Sequence, residues 1–94
     1  MRTDEMEIRN PSGLHARPAA LFVKTASGFA SSIRLENVTT GSPAVDAKSI
    51  LGVMSSGAAR GHRIRVTTDG ADEAAALDTI RDLVAAGIGE DVDG

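Results

Sequence analysis

The stretch Arg63-Ile64-Arg65-Val66-Thr67 alternates a charged or hydroxylic side chain with an aliphatic one at every step. A period of two puts Ile64 and Val66 on one face of a strand and Arg63, Arg65 and Thr67 on the other. One dry and one wet face describe an antiparallel sheet covered on a single side, not a parallel sheet buried on both. Three further stretches follow the same rule. Met6 and Ile8 alternate with Glu7 and Arg9, and Ile33 and Leu35 with Ser32, Arg34 and Glu36. Val45 and Ala47 give a weaker strand after the turn-like Thr39-Thr-Gly-Ser-Pro43.

Helical spacing fills the intervals. From Pro18, the positions Ala19, Phe22, Val23 and Ala26 fall at i, i+3, i+4 and i+7, and Gly28 stands where a helix would stop. Glu73, Leu77, Ile80, Leu83 and Val84 repeat that spacing, with Asp69 and Asp72 near the first turn and Gly87 past the end. A short third stretch, Ser49 to Ser56, has Ser49 as its expected N-cap and ends at Gly57. The resulting order is β-α-β-β-α-β-α. The expected fold is α/β in the α+β sense: an open-faced sandwich, with a four-stranded antiparallel sheet and three helices on one face. Residues 1–88 are expected to form one domain. The acidic segment 89–94 has no apolar residue but Val92 and is expected to fray.

Composition narrows the function. Ninety-four residues make one compact domain, and 41% hydrophobic with 24% charged residues is ordinary globular usage. Without cysteine there is no disulfide framework, thiol nucleophile or thiolate metal site. A net charge of −3, with two Phe and no Trp or Tyr, argues against a nucleic-acid partner. Its longest apolar run, Ala19 to Val23, is far short of the ~20 residues of a membrane span. Acids at Asp4 and Glu5 stand where a signal peptide needs an apolar core. A cytoplasmic, monomeric domain without membrane insertion is expected.

The segment with chemistry in it is Asn10-Pro-Ser-Gly-Leu-His15-Ala-Arg-Pro-Ala-Ala20. It leaves the first strand through a Pro/Gly turn and enters the first helix with His15 at the N-cap. Histidine is a weak cap beside Ser, Thr, Asp or Asn, and a poor local choice at a defined backbone position often marks a site. Outward amides of Ala16 and Arg17, with the helix dipole, would form an anion site worth about 0.3–1 kcal/mol. Arg17 adds a guanidinium fork matched to phosphate oxygens, and Pro18 fixes the local shape. Against this stands the plain alternative of a solvated histidine at a helix start. A phosphoryl group carried on the imidazole is the sharper reading.

Gly13-Leu-His-Ala-Arg-Pro-Ala-Ala20 resembles the active-site motif of the HPr family, the histidine-containing phosphocarriers of the phosphoenolpyruvate-dependent sugar phosphotransferase system. Lys48-Ser-Ile-Leu-Gly-Val-Met-Ser-Ser-Gly57 resembles that family's regulatory-serine and docking segment, and the resemblance runs from about Glu5 to Gly87. It implies a carrier without turnover of its own. Phospho-Enzyme I would charge His15 at Nδ1 with a phosphoryl group originating in phosphoenolpyruvate, and enzyme IIA domains would receive it. Arg17 and the Ala16 and Arg17 amides would stabilise the phosphoryl group, with Ser12 and Pro18 in support. Ala16, Ile50, Leu51 and Met54 would dock partners, while Val53 is expected in the core. Ser49 matches the serine modified by an HPr kinase/phosphorylase in some members. No bound cofactor and no metal are implied, and a His15/His62 metal pair would lack further ligands.

Two departures from the family pattern stand out. The segment Asn37 to Ala44 is longer than the usual hairpin between the second and third strands. Ser56 replaces an apolar residue and is expected to weaken packing or docking there. The competing class is an HPr-like regulatory binding module, nitrogen-related or in catabolite control, that reports phosphorylation state to protein partners. A bland α/β interaction domain without phosphotransfer is the third reading.

Overall fold

The computed structural model describes residues 1–91 of the chain. Four strands, β1 (Arg2–Glu7), β2 (Ser32–Asn37), β3 (Val45–Asp46) and β4 (Arg63–Asp69), alternate with helices α1 (Ala16–Ser27), α2 (Ile50–Ser55) and α3 (Glu73–Ala85) in the order expected from the sequence. The strands form one sheet, β1-β4-β2-β3, and every pairing is antiparallel. This is the open-faced sandwich, with its three helices on the dry face of the sheet.

Register explains which side chains go inward. Met6 pairs with Ile64, Leu35 with Val66, and Asn37 with Ile64, so these residues share the covered face. Ile64, Val66, Ile33 and Leu35 are buried there against Phe22 of α1 and Ile80 of α3. Each such aliphatic side chain contributes roughly 1.5–3 kcal/mol by leaving water. The other face carries a row of charges: Arg65 donates to Glu5 at 2.8 Å and lies 3.6 Å from Glu36, while Arg63 lies 3.5 Å from Glu5. Opposite charges on neighbouring strands keep that face wet and in register.

β1 begins at Arg2, four residues before the first alternation visible in the sequence. Asp4 is the reason. It pairs with Val66 and so lies on the covered face, where an apolar residue would be expected. At that margin its carboxylate accepts from Nε of Arg81 on α3 at 2.8 Å, and Arg81 also meets Asp78 at 3.0 Å. Arg81 thus ties α3 to β1 as well as to Asp78 on its own helix. β3 is only two residues long, but Ala47 beyond it is buried and its amide donates to the Ile33 carbonyl.

The loop from Asn37 is fastened to the body of the protein. Asn37 is buried; its Nδ2 donates to the Ser56 carbonyl at 3.0 Å and lies 3.1 Å from Nδ1 of His62. The Ala59 amide also reaches that nitrogen at 3.1 Å. A backbone N–H can only donate, so Nδ1 of His62 is the acceptor and the ring proton sits on Nε2. His62 is thus half-buried and partnered, where the sequence shows no partner. Ser56 is buried, and its hydroxyl is satisfied there, donating to the Val53 carbonyl at 2.6 Å.

Among the described residues, no helix is long and apolar enough to cross a membrane.

Candidate functional site

The path from β1 into α1 is set by a few fixed points. After the strand, the Ile8 amide donates to the His62 carbonyl at 2.8 Å, and the Gly61 amide to the Ile8 carbonyl at 2.7 Å. The chain then turns over Asn10–Gly13, where Nδ2 of buried Asn10 donates to the Gly13 carbonyl at 3.0 Å. Leu14 is buried, and its amide donates to the Ala58 carbonyl at 2.8 Å. Gly13 has φ +61°, and a Cβ there would lie 2.4 Å from the Ala58 oxygen. Only glycine allows this contact with the segment after α2.

Between two anchors, Leu14 before and Pro18 after, the chain exposes three consecutive residues: His15, Ala16 and Arg17. His15 occupies the N-cap with an extended backbone, φ −134° and ψ 154°, and its side chain makes no capping hydrogen bond. An imidazole left out of the cap is free to meet another molecule. The first amides of a helix have no intrahelical acceptor, which leaves those of Ala16 and Arg17 available beside it. Ala16 carries φ +50°, a left-handed value that costs an alanine roughly 1–2 kcal/mol. This strain is local to the site. Nothing in the sequence marks it, because alanine at a helix start looks ordinary.

Ser12 is not turned to the imidazole. Its amide donates to Oε1 of Glu90 at 3.0 Å and its hydroxyl to Oε2 at 2.8 Å. Nδ2 of Asn10 donates to the same Oε1 at 3.0 Å. The Asn10 amide, the Ser12 donors and the positive charge of Arg17 hold the Glu90 carboxyl below the usual carboxylate range. Of the segment 89–94 expected to fray, Glu90 is therefore tied to the site, and residues 92–94 lie outside the described residues. Sequence reading missed both Asn10 and Glu90. An acid beyond α3, between Gly89 and Asp91 and outside any periodic pattern, gives no signal of where it folds back.

Docking candidates lie on α2, next to this loop. Ser49 caps the helix as expected, its hydroxyl accepting from the Gly52 amide at 3.1 Å. Val53 is fully buried, as expected, whereas Ile50 is 41% and Leu51 78% exposed. Met54 is half-buried and packs on the core. The Leu14–Ala58 bond ties the His15 loop to the chain leaving this helix. The exposed aliphatic pair and Met54 thus lie on the helix whose outgoing chain holds the His15 loop.

Residues 2–86 match the family model described as the PTS HPr component phosphorylation site. The chain belongs to the HPr family. It is 43% identical to the phosphocarrier protein HPr of Neisseria meningitidis serogroup A, over 96% of this chain and 98% of that one. The crystal structure of HPr-C-His from Thermoanaerobacter tengcongensis superposes with a TM-score of 0.90 at 44% identity, covering 97% and 99% of the two chains. Larger relatives share the domain as well. A multiphosphoryl transfer protein of Escherichia coli O157:H7 is 45% identical over 92% of this chain, which spans 23% of that protein's length.

Proposed function

We propose that His15 accepts a phosphoryl group from phospho-Enzyme I, charged in turn by phosphoenolpyruvate, and passes it to enzyme IIA domains for sugar uptake in the cytoplasm. The observation that carries this reading is an exposed imidazole at a helix N-terminus, uncapped and followed directly by Arg17. In the charging step the Nδ1 lone pair of His15 attacks phosphorus while the donor's P–N bond breaks. The donor imidazole leaves with that electron pair. The return step to enzyme IIA is the same exchange in reverse, so the chain ends unchanged and acts as a carrier, with no bound cofactor or metal.

Such a transfer needs alignment and charge stabilisation above all. The amides of Ala16 and Arg17 and the guanidinium of Arg17 suit the phosphoryl oxygens, and the α1 dipole adds a favourable field. Pro18, buried at the second anchor, supports the shape of this turn. Leu51, Ile50, Met54 and Ala16 form the surface for Enzyme I and enzyme IIA, with Met54 adding adaptability. The test is a reconstituted relay: Arg17→Ala is expected to slow transfer to enzyme IIA about tenfold or more, with thermal stability unchanged. Equal rates would remove the assigned role of Arg17.

A second reading, regulation through Ser49, is supported by its place at the α2 N-cap beside exposed Ile50 and Leu51. A phosphate of about −2 charge there suits the helix but spoils an apolar docking surface. Incubation with ATP and an active HPr kinase/phosphorylase tests it; an unmodified Ser49 would end it.

A further inference from the structure

Most arginines of this chain are engaged within it. Arg2, Arg63, Arg65 and Arg81 each lie 2.8–3.9 Å from a carboxylate, and Arg34 donates to the Ala44 carbonyl. Arg9 and Arg60 have no such partner among the described residues, in a chain whose net charge is −3. Both line one cavity of about 310 Å³, together with Glu7, Ile8 and Gly61.

The backbone under this cavity is fixed. Ile8 is fully buried; its amide donates to the His62 carbonyl at 2.8 Å, and its carbonyl accepts from the Gly61 amide at 2.7 Å. The His62 amide closes a turn onto the Ala59 carbonyl at 3.0 Å, with Gly61 at φ +89°. That left-handed value is the one a type II turn needs at its third residue, and it leaves Arg60 at the turn's outer corner. Arg9 directly follows Ile8. Two guanidinium groups are thus mounted on adjoining stretches of pinned backbone, around one cavity. Glu7 lines the same cavity yet forms an ion pair with neither. Like charges gathered without a counter-charge repel, and an anion between them relieves the repulsion.

We propose that this cavity binds a small phosphate monoester bearing free hydroxyl groups, the chemical class of a sugar phosphate. Guanidinium forks match phosphate oxygens two at a time, and such charge-assisted bonds are about twice as strong as neutral ones. The Glu7 carboxylate repels a bare anion, but as a pure acceptor it takes hydrogen bonds from hydroxyl groups. The three side chains together therefore suit a ligand with one anionic end and one hydroxylic end. The volume is at the lower end of small-molecule sites, as such a ligand requires. No covalent step is involved, and binding does not depend on His15 being a phosphoryl acceptor.

The test titrates the ¹⁵N-labelled full chain with glucose 6-phosphate, glucose, inorganic phosphate and a short polyglutamate peptide, each at constant ionic strength. Glucose 6-phosphate is expected to saturate at roughly millimolar concentration, as for a small ligand in a solvent-open cavity. The resonances that move should be the amides of Arg9, Arg60 and Gly61 and the Nε groups of the two arginines. Arg9→Gln and Arg60→Gln, both exposed, are expected to keep the fold and to bind at least about tenfold more weakly. Glu7→Gln separates the two ends of the ligand: it is expected to weaken glucose 6-phosphate but to leave inorganic phosphate as tight or tighter. Glucose alone should move nothing. Shifts centred on Ala16 and Arg17, or glutamine variants that bind as wild type does, would overturn the inference. So would inorganic phosphate binding as tightly as the ester, which would reduce the site to a general anion cleft. A response to polyglutamate without one to glucose 6-phosphate would overturn it too, marking the cavity as a contact for acidic protein surface.

Discussion

The amide of Leu14 donates to the carbonyl of Ala58 at 2.8 Å, fastening the loop that presents His15 to the chain that leaves α2. One hydrogen bond between buried residues thus joins the neighbour of His15 to the segment that follows the helix bearing the exposed aliphatic pair. Anything that widens this contact should disturb stability and chemistry together.

Gly13→Ala does that directly. The added methyl would lie 2.4 Å from the Ala58 oxygen and 2.8 Å from the Ala59 Cα, on a residue already at φ +61°. Neither neighbour is a flexible side chain, so the loop must move. Urea denaturation is expected to show a loss of about 2–3 kcal/mol. Charging of the remaining folded protein is expected to slow as well.

The strain at Ala16 separates two substitutions. With φ at +50°, Ala16→Val places a β-branched side chain where it is a genuine outlier, at an expected cost of about 1–2 kcal/mol. Ala16→Gly relieves the strain but adds backbone freedom, so the two effects offset to within roughly 1 kcal/mol. Thermal denaturation of the pair measures the difference; equal losses would mean that the left-handed backbone is not maintained in solution.

Acid should loosen the connection between α1 and β2. The Asp72 carboxylate accepts from the Ala30 amide at 2.8 Å and the Ser31 amide at 2.9 Å, and also from the Ser31 hydroxyl. The Ser31 hydroxyl above all, then the Ala30 amide, holds its carboxyl below the usual value of 3.8. A depressed folded pKa means stabilisation that is fully present above the unfolded value and lost as pH falls through the folded one. Asp72→Asn is therefore expected to be the less stable protein at neutral pH and to converge with wild type at strongly acid pH. Parallel stability curves for the two, from neutral to acid, would contradict this.

Docking can be separated from folding at Leu51. It is 78% exposed, so Leu51→Arg is expected to change stability by no more than about 0.5 kcal/mol. Binding to Enzyme I, followed by calorimetry, is expected to weaken at least about tenfold, as for a central residue of an interface. Unaltered affinity would place the contact surface elsewhere.

Strands β2 and β4 are legible because Ile33 and Leu35, and Ile64 and Val66, alternate with charged or hydroxylic residues, although Asn37 and Thr68 continue the covered face with polar side chains. β1 was only half legible: Asp4 sits on the covered face and is satisfied by Arg81, a partner 77 residues away that no local pattern reveals. The same limit applies to the site. His15, Arg17 and Ser49 stand in motifs that local sequence can hold. Glu90 and Asn10 meet only because three left-handed residues turn the chain back after α3, and the strain at Ala16 is a property of backbone angles that alanine does not advertise. His62 shows no partner in the sequence for a related reason, since Asn37 reaches it from β2, 25 residues away.

The most direct measurement of the central claim is the intact mass of the protein after incubation with phosphoenolpyruvate, magnesium and Enzyme I from the same organism. One acid-labile phosphoryl group, absent in His15→Ala, is the expected result. No adduct from an Enzyme I that charges another carrier would contradict the phosphocarrier account and leave a binding module that keeps the motif without the reaction.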